Sequence, residues 1–535
     1  MKTMISSIIL ASCLALPLAS CSDSDVAPEQ KDWSTTTYFY SADAAMQDTY
    51  YKPTVGYVGD PMPFFDPVAG DFKVLYLQDF RPNPEGTYHP IWGVSTKDAA
   101  HYTALGELVS CGTLKSQDAA IGTGSTIYDE ASKLYYTFYT GNKYKPTGDE
   151  SAQAVMVATS ADFKTWTKDR TFLLKGQDFG YDKNDFRDPF VFKGDDGKFH
   201  MLISTKKGGK GSLAEFVSDD LKNWTDNGVF MTMMWDRFYE CPDLFKMGDY
   251  WYLVYSEIHH AVRRVQYFKG RTLDELKACT ANDVARWPDA HEGFLDSRGL
   301  YAGKTASDGT NRYLWGWCPT RSGKDNTAVG ASPAEPEWAG NLVCYKLIQH
   351  EDGTLTLGQI DAVSEKYNQD VAVEVKESQN MTEADGTYTL AGNVEQPDAY
   401  MLMGRLGNHN KISFTVTTSN EWDKFGISMV RGSDSKKYYT MVVNPENENN
   451  RKVNFEEQGV EGKGFIAGID GYVFARPADN VYNVTIYTDN SICVMYINDV
   501  CSYTNRIYGI QKNCWSINSY NGANVKISNL KISQY

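Results

Sequence analysis

The chain has 535 residues, of which 42% are hydrophobic, 13% aromatic and 22% charged, and its formal net charge is −16. This length predicts two or more domains, and the apolar fraction is sufficient for a sizeable core. The acidic balance argues against nucleic acid and anionic lipid as partners, because like charges repel. Neutral ligands such as sugars are compatible with it. The 12 Trp and 35 Tyr give them only weak support, since most aromatic rings belong to cores.

The N-terminus has the pattern of a secretory signal. A basic residue precedes an apolar run over residues 8–18, which is too short to span a bilayer. The run ends in Leu-Ala-Ser-Cys, which resembles the lipobox of bacterial lipoproteins, with Cys21 as the lipidated residue. The Ser-Asp-Ser-Asp that follows is similar to the surface-export signal of lipoproteins in gut Bacteroidetes. The alternative is an ordinary signal peptide cleaved near Ala19.

The chain is divided by these patterns into four predicted segments. Residues 1–21 form the signal peptide and residues 22–48 a polar tether. Over residues 49–365, short aromatic or β-branched runs alternate with tight polar turns, as in FVFKGDDGKFHMLIST and LFKMGDYWYLVYSE. Such repeated sheet units predict a β-propeller, with a β-helix or a large sandwich as the alternative.

Residues 366–535 have a different texture. Apolar and polar residues still alternate between Asn, Asp and Gly turns, but the aromatic repeat disappears, which predicts a β-sandwich that buttresses the first domain. The eight cysteines beyond the signal show no C-x-x-C spacing, so a zinc site is not favoured. Most are expected to be buried thiols, and Cys493 with Cys501 or Cys514 is the grouping to inspect for a disulfide.

Three acidic residues are the candidates for chemistry. Asp60, Asp188 and Glu240 each stand at the edge of an apolar strand, and a proline follows immediately or after one residue. The inner strands of a propeller converge on its axis, so we expect these side chains to point into one funnel. Three partly desolvated carboxylates repel one another, which raises at least one pKa. The site then holds both an ionised and a protonated carboxyl, the pair that glycosidic cleavage requires.

These motifs, taken together and in order, resemble glycoside hydrolase family 32, the fructan hydrolases and invertases. The resemblance covers nearly the whole mature chain and implies a five-bladed β-propeller followed by a β-sandwich. The matching stretches are Asp60-Pro61, VLYLQ ending at Gln78, WGVST (92–96), GTGSTIYD (122–129), FYTGN (138–142), Gln153 in QAVMVATS, FRDP (186–189), YECP (239–242), LYAGKT (300–305), YLWGW (313–317) and WAGNLVCYKL (338–347).

The resemblance also implies a role for each motif residue. Asp60 would be the nucleophile that attacks C2 of a fructosyl unit, and Glu240 the general acid and then the base for water. Asp188, with Arg187, would bind fructose hydroxyls and favour the oxocarbenium-like transition state. The implied mechanism is retaining, with nucleophile and acid about 5 Å apart, and uses no metal or organic cofactor. Further substrate-binding residues would be Gln78, Trp92 and Ser125.

The sequence departs from the family pattern beside the nucleophile. The first block of the family usually reads Asn-Asp-Pro-Asn-Gly, whereas residues 59–63 here read Gly-Asp-Pro-Met-Pro. Both asparagines, which help to hold the terminal sugar, are missing, so the resemblance leaves the sugar and its linkage open. It also leaves open exo or endo attack and a preference for β-2,6 or β-2,1 bonds.

Two other functions are compatible with the pattern. One is a five-bladed relative that cleaves arabinose- or xylose-containing glycans, and the other is a surface glycan-binding lipoprotein without catalysis. In each case the partner is an oligo- or polysaccharide rather than nucleic acid. The membrane would be contacted only through the lipid anchor, on the outer membrane, at the cell surface or in the periplasm. There we expect association with an outer-membrane glycan uptake system.

Overall fold

A computed structural model describes most of the chain. The described residues are 49–80, 88–233, 238–257, 264–279, 293–321, 336–431, 437–445, 453–456, 476–507 and 510–535. The predicted signal, the tether and Cys21 lie outside them. Two short helices, α1 (Leu273–Ala278) and α2 (Asp361–Lys366), and two 3₁₀ turns (Gly176–Phe179 and Ile510–Lys512) interrupt the strands. No helix within these ranges is both long and apolar enough to cross a membrane.

Nineteen strands make up the first part of the fold. They are β1 (Tyr57–Asp66), β2 (Asp71–Asp79), β3 (Ile91–Thr96), β4 (Thr103–Val109), β5 (Ala120–Asp129), β6 (Leu134–Asn142), β7 (Gln153–Ser160), β8 (Thr167–Lys168), β9 (Phe186–Lys193), β10 (Phe199–Lys207), β11 (Lys210–Ser218), β12 (Thr225–Thr232), β13 (Glu240–Met247), β14 (Tyr250–Glu257), β15 (Arg264–Gly270), β16 (Tyr301–Ser307), β17 (Arg312–Arg321), β18 (Pro336–Gln349) and β19 (Leu355–Gly358).

Fourteen strands make up the second part. They are β20 (Gln369–Val371), β21 (Val375–Gln379), β22 (Met381–Ala384), β23 (Thr387–Ala391), β24 (Ala399–Arg405), β25 (His409–Thr418), β26 (Lys424–Arg431), β27 (Lys437–Val443), β28 (Val453–Glu456), β29 (Val481–Asp489), β30 (Ile492–Ile497), β31 (Cys501–Arg506), β32 (Cys514–Tyr520) and β33 (Asn524–Gln534).

Antiparallel meanders in the first part surround a common axis. Strands β5 to β8, β9 to β12 and β13 to β15 form three separate sheets, whereas β1 to β4 and β16 to β19 share a fourth. Five strands, one after another, contact each other in a closed ring: β1, β5, β9, β13 and β16. We call them the ring strands. Because each meander leads outward from a ring strand, the sheets stand radially around the axis, as in a propeller.

The second part consists of two facing antiparallel sheets. One has the order β22-β23-β33-β25-β29-β30-β31, with β20 added to β33, and the other has the order β21-β24-β32-β26-β27-β28. Inward side chains of both sheets form one apolar core that includes Met401, Phe414, Trp515 and Ile517. The all-β prediction of a propeller followed by a sandwich is confirmed. The count of five blades stays a prediction, because two ring strands, β1 and β16, belong to the same continuous sheet.

Buried polar groups join the two parts. The guanidinium of Arg506 donates to the carbonyl oxygens of Cys318 (2.9 Å) and Pro319 (3.1 Å) and to Asn341 Oδ1 (2.7 Å). Asp296 accepts hydrogen bonds from the backbone and side chain of Thr504 (2.7 and 2.8 Å). The predicted boundary at 365/366 falls inside α2, and the domain bounds stay predictions. All eight cysteines among the described residues are free thiols, Cys493, Cys501 and Cys514 included.

Each ring strand has a β-bulge near its N-terminal end. In β9 the pairing with β10 runs from Arg187↔Ser204 to Phe190↔Leu202, so two residues of β9 oppose one of β10. The same two-to-one mismatch occurs in β1, β13 and β16, and in β5 the single residue Thr123 is inserted between Gly122 and Gly124, whose partners are consecutive. A bulge bends its strand and redirects the side chains beside it. The five bulges therefore define one level on the axis, and the extra residue pairs of four of them are 60–61, 188–189, 241–242 and 302–303.

Candidate active site

The bulges hold the three predicted catalytic acids at one end of the ring. Asp60 and Asp188 occupy the first bulge position of β1 and β9, and each is followed by proline. Glu240 lies one position earlier in β13, level with Arg187 of β9 and Tyr301 of β16, so the three acids are not at equivalent positions. Asp188 has a left-handed backbone with φ of 58°, which is uncommon for a residue other than glycine.

A continuous series of contacts links the nucleophile candidate to the acid candidate. Trp317 Nε1 donates a hydrogen bond of 2.9 Å to Asp60 Oδ1. The Trp317 indole meets the ring of Tyr301 edge to face, with centroids 5.4 Å apart. The hydroxyl of Tyr301 in turn donates to Glu240 Oε2. Asp60 and Glu240 are both partly exposed, while Tyr301 and Trp317 are buried between them. The two carboxylates are thus oriented by one aromatic pair.

Arg187 joins the second acid to the third. Its Nη2 donates to Glu240 Oε1 at 2.9 Å, and its Nε lies 4.0 Å from Asp188 Oδ2. A further carboxylate, that of Asp185, accepts a hydrogen bond from Nη1 at 2.7 Å. The guanidinium also lies 4.0 Å from the ring centroid of Phe238. Burial opposes the charged form of Arg187, but the neighbouring Glu240 and Asp188 outweigh it and raise its pKa. Arg187 is therefore a fixed cation at the centre of the site.

Asp188 is the most buried of the three acids, with 4% of its surface exposed. Burial, with a contribution from the nearby Glu240, raises the pKa of its carboxyl to about 7, although Arg187, Lys304 and the backbone N–H of Cys241 oppose the shift. That N–H donates to Asp188 Oδ2 at 2.9 Å. The backbone N–H of Asp188 itself donates to Thr140 Oγ1 at 2.9 Å. The predicted rise of a carboxyl pKa in the funnel thus falls on Asp188.

Cys241 is a neighbour of the acids and not a nucleophile. Its side chain is buried in a small cluster with Tyr301, Ala302 and Trp317, against which Trp338 packs. Burial raises the pKa of its thiol well above the usual range, and the carboxylates of Asp188, Asp60 and Glu240 add to the rise. A neutral thiol is a poor nucleophile. Because the carboxylates of Asp60, Asp188 and Glu240 all raise the pKa of this one thiol, all three lie near Cys241.

Three predicted substrate-binding residues have contacts elsewhere. Gln78 is buried and its Nε2 donates to the carbonyl oxygen of Val55 at 2.5 Å. Trp92 meets Phe80 edge to face with centroids 5.9 Å apart. Ser125 Oγ bridges two backbone groups of β9, donating to the oxygen of residue 189 at 2.9 Å and accepting from the nitrogen of residue 191 at 2.8 Å. Their roles in substrate binding stay predictions, and Ser125 holds β9 beside β5.

Other residues of the site were not assigned a role by the sequence. Tyr301, Trp317 and Trp338 lie within matched stretches, but only the packing of β16, β17 and β18 beside β1 brings them to the acids. Gln153 also lies within a matched stretch, and its Oε1 accepts from the backbone N–H of Phe186 (3.0 Å) and from Arg187 Nη1 (3.4 Å). An aromatic residue that starts a ring strand, as Tyr301 does, is the signal that could have identified the first of them. Within the described ranges, no group of three or more His, Cys, Asp or Glu side chains has the arrangement of a metal site.

Comparison with known proteins decides the family. The profile of the glycosyl hydrolases family 32 N-terminal domain matches residues 50–360, and that of the GH32, BT1760-like, C-terminal domain matches residues 353–532. The chain belongs to glycoside hydrolase family 32. This confirms the family resemblance predicted from the motifs. It also confirms the prediction that the protein belongs to the glycoside hydrolases.

Individual relatives of this family are distant. The insoluble β-fructofuranosidase isoenzyme CWINV2 of Arabidopsis thaliana is 25% identical over 319 residues, which cover 54% of this chain and 51% of the relative. Sucrose-6-phosphate hydrolase of Vibrio alginolyticus is 24% identical and covers 42% and 45%. The chain thus spans about half the length of the curated relatives that it matches. The crystal structure of exo-inulinase from Aspergillus awamori shares the fold, with a TM-score of 0.68, 15% identity and coverage of 91% and 98%.

Where the family usually has an asparagine before the nucleophile, this chain has Gly59, and the ring of Trp338 lies close to it. A Cβ atom added to Gly59 would lie 2.3 Å from the six-membered ring of Trp338, closer than side chains tolerate. The ring of His89 stacks on the same indole, with centroids 4.2 Å apart. The absence of a side chain at Gly59 therefore allows Trp338 to lie directly beside Asp60. The wall of the site at this point is aromatic carbon instead of an amide.

The raised pKa of Asp188 predicts a trade-off between stability and activity. Because its pKa is about 7 in the folded protein and 3.8 in the unfolded chain, ionising it costs stability as the pH rises from about 4 to 7. We expect Asp188→Asn to be inactive on any substrate but more stable than the wild type at pH 7.5, by roughly 2–4 kcal/mol. The gain should vanish by pH 4. Urea unfolding at pH 4, 6 and 7.5 measures it, and a variant less stable at every pH would contradict the burial argument.

The contact of Gly59 with Trp338 predicts a rescue. Gly59→Ala should lower kcat/KM on the enzyme's own substrate by tenfold or more, on the order expected when reacting groups are displaced. Adding Trp338→Ala to that variant should recover part of the loss, because the space for the new methyl group is restored. Kinetics of the two single variants and the double variant give the coupling. Additive losses would mean that the two side chains do not compete for this space.

Proposed function

We propose that the protein is a retaining β-fructosidase, which cleaves β-fructofuranosidic bonds in fructans such as levan and inulin or in sucrose-type fructosides. The observation that carries the proposal is the series of contacts from Asp60 through Trp317 and Tyr301 to Glu240. It provides two oriented carboxylates at the end of one ring, the minimum for a two-step glycosidase. The class of sugar is supported by the relatives, which include a β-fructofuranosidase and a sucrose-6-phosphate hydrolase.

The proposed reaction begins with the fructosyl unit between the two carboxylates. Glu240 protonates the leaving oxygen while Asp60 attacks C2, which forms a covalent fructosyl-enzyme and releases the aglycone or the shortened chain. Glu240, now ionised, then removes a proton from water as the water attacks C2, and Asp60 leaves. The configuration at C2 is retained after two displacements. Tyr301 and Arg187 each bond one oxygen of Glu240 and so set its direction.

Arg187 and Asp188 form the proposed clamp for fructose hydroxyls. Asp185 and Gln153 hold the guanidinium from the side opposite Glu240, so Arg187 needs no reordering when substrate binds. Because its pKa is about 7, the carboxyl of Asp188 exists in both the protonated and the ionised form near neutral pH, so it can donate as well as accept hydrogen bonds. Rigid, charge-assisted hydrogen bonds of this kind favour a transition state whose charge develops on the sugar ring.

Product analysis with levan, inulin and sucrose tests the proposed function. The wild type should release fructose or fructo-oligosaccharides, and Asp60→Asn and Glu240→Gln should each lose activity by 10³-fold or more. An NMR time course should show the β-anomer of fructose first, as retention requires. The Arg405→Ala variant, on an exposed position of β24, serves as the control and should behave as wild type.

Other outcomes of that analysis separate the alternatives. Free fructose alone would identify an exo-acting enzyme, and a ladder of oligosaccharides an endo-acting one. Cleavage of arabinosides or xylosides without any fructan activity would replace the fructosidase with the second enzyme class. Binding of glycans without turnover would favour the non-catalytic lipoprotein.

We further propose that the protein is a lipoprotein anchored through Cys21, on the outer membrane, at the cell surface or in the periplasm. The Leu-Ala-Ser-Cys motif and the acidic residues after it support this. Metabolic labelling with a palmitate analogue should mark the wild type and not Cys21→Ala. Cell fractionation should find the wild type in the membrane fraction and the variant soluble. Labelling of both proteins, or of neither, would contradict the anchor and with it the proposed association with a glycan uptake system.

A further inference from the structure

A second cavity lies outside the candidate active site, between β4 and the sheet of β5 to β8. Its volume is about 450 Å³, within the usual range of small-molecule sites. Residues of the segments 108–118 and 166–173, with Met156 of β7, line it. We call it the β4–β8 cleft. None of its lining residues is a candidate catalytic acid, Arg187 or an aromatic residue of the active site.

Two of the segments that line the cleft stand at the same end of the ring as the candidate catalytic acids. Asp60, Arg187, Glu240 and Tyr301 lie in the N-terminal halves of their ring strands. The segment 110–119 directly precedes ring strand β5, which lies beside β1 and β9, so it stands at this same end. The segment 169–173 follows β8 and returns to that end as well, because Leu174 bridges to Val155 in β7.

One wall of the cleft is connected to the active site by hydrogen bonds. Gln117, which lines the cleft, donates through Nε2 to the carbonyl oxygens of Gly141 (3.0 Å) and Ser151 (3.3 Å). Two residues after Ser151, the side chain of Gln153 accepts from Arg187. This wall of the cleft and the guanidinium of Arg187 are therefore held by neighbouring positions of the same segment, residues 151–153.

The lining of the cleft has the chemistry of a sugar site. Asp118 and Lys168 form an ion pair that presents both acceptors and donors, and together they add no net charge. Arg170 is exposed and forms no ion pair with any residue in the described part of the chain. Leu173 is 38% exposed and stands beside the partly buried ring of Trp166 and that of Phe172. Sugars combine hydroxyl groups with apolar C–H faces, and they match a lining of this mixed kind.

We propose that the β4–β8 cleft is a second, non-catalytic binding site for a neutral oligosaccharide, namely distal units of the fructan chain whose reacting unit lies in the active site. The identity of that sugar depends on the proposed function. Two linked contact points on one chain raise the affinity for the polymer above that of either point alone. The cleft thus makes the enzyme selective for long chains over small fructosides.

Binding of fructan to a variant that cannot hydrolyse it tests the cleft directly. The full-length Asp60→Asn variant is compared with the same protein carrying Arg170→Ala and Leu173→Asp, two exposed positions whose exchange leaves the core intact. Affinity electrophoresis and calorimetry with levan and inulin should show binding weakened by about five- to tenfold. Arg405→Ala with Val394→Asp is the matched control, since it makes the same changes at exposed positions of the sandwich and should not alter binding.

Kinetics of the active enzyme give the second measurement. With Asp60 restored, the cleft variant should show a raised KM on the polymer and unchanged kcat and KM on sucrose, which is too short to span both sites. Unchanged polymer binding, an equal loss on sucrose, or the same loss in the matched control would overturn the proposal. So would displacement of fructan by inorganic phosphate through Arg170, which would make the cleft an anion site.

The failure of the cleft and the failure of the proposed function are distinguishable. If the wild type cleaves fructans and the cleft variant binds them equally well, only the cleft is refuted. If the wild type cleaves no fructoside but Asp60→Asn binds fructan in a way that depends on Arg170 and Leu173, the active-site proposal fails and the cleft stands. Absence of any fructan binding refutes the cleft, and the proposed function fails with it only if the wild type also cleaves no fructoside.

Discussion

The active site depends on the β-bulges of the ring strands. A regular strand alternates its side chains between the two faces of its sheet, and the bulges interrupt this alternation at or directly after Asp60, Asp188 and Glu240. The bulges of β9 and β13 place Asp188 and Cys241 in the left-handed region, with φ of 58° and 52°. Such a conformation costs about 1–3 kcal/mol for a residue with a side chain. In return it aims the backbone N–H of Cys241 at the Asp188 carboxylate and turns Arg187 and Glu240 towards each other.

Arg187 is what allows the carboxylates to be so close. Glu240, Asp188 and Asp185 lie within 2.7 to 4.0 Å of its guanidinium, and without a cation their mutual repulsion and burial would be severe. Lys304 assists from the axis, where its buried ammonium group donates to the carbonyl oxygen of Gly124 at 2.7 Å and lowers the cost of ionising Asp188. Arg187 is therefore the cation that the carboxylates of Glu240, Asp188 and Asp185 require in order to lie so close together.

Much of the fold and part of the site could be predicted from the sequence, for different reasons. Strand alternation and turn residues are local, so the change from propeller to sandwich was visible, and the order of short motifs was enough for the family. Bulge register is not local. Glu240 is level with Arg187 and not with Asp188, which only the pairing with β14 reveals. Tyr301 and Trp317 reach the acids from β16 and β17, far along the chain, and no pattern around Asp60 indicates them.

The residue before Asp60 could diverge from the family pattern because neither the bulge nor the hydrogen bond that orients Asp60 involves a side chain at position 59. The bulge at residues 60–61 is set by the pairing of β1 with β2 and by Pro61, and it does not require a particular side chain at position 59. Trp317 orients Asp60 through its indole N–H, again without position 59. Position 59 can thus change together with Trp338 and alter the wall of the site, while Asp60, the proposed nucleophile, keeps its direction. Gly59 and Trp338 together use that freedom, exchanging an amide for an aromatic face, which alters what the site can recognise and leaves the contacts of the proposed catalytic groups in place.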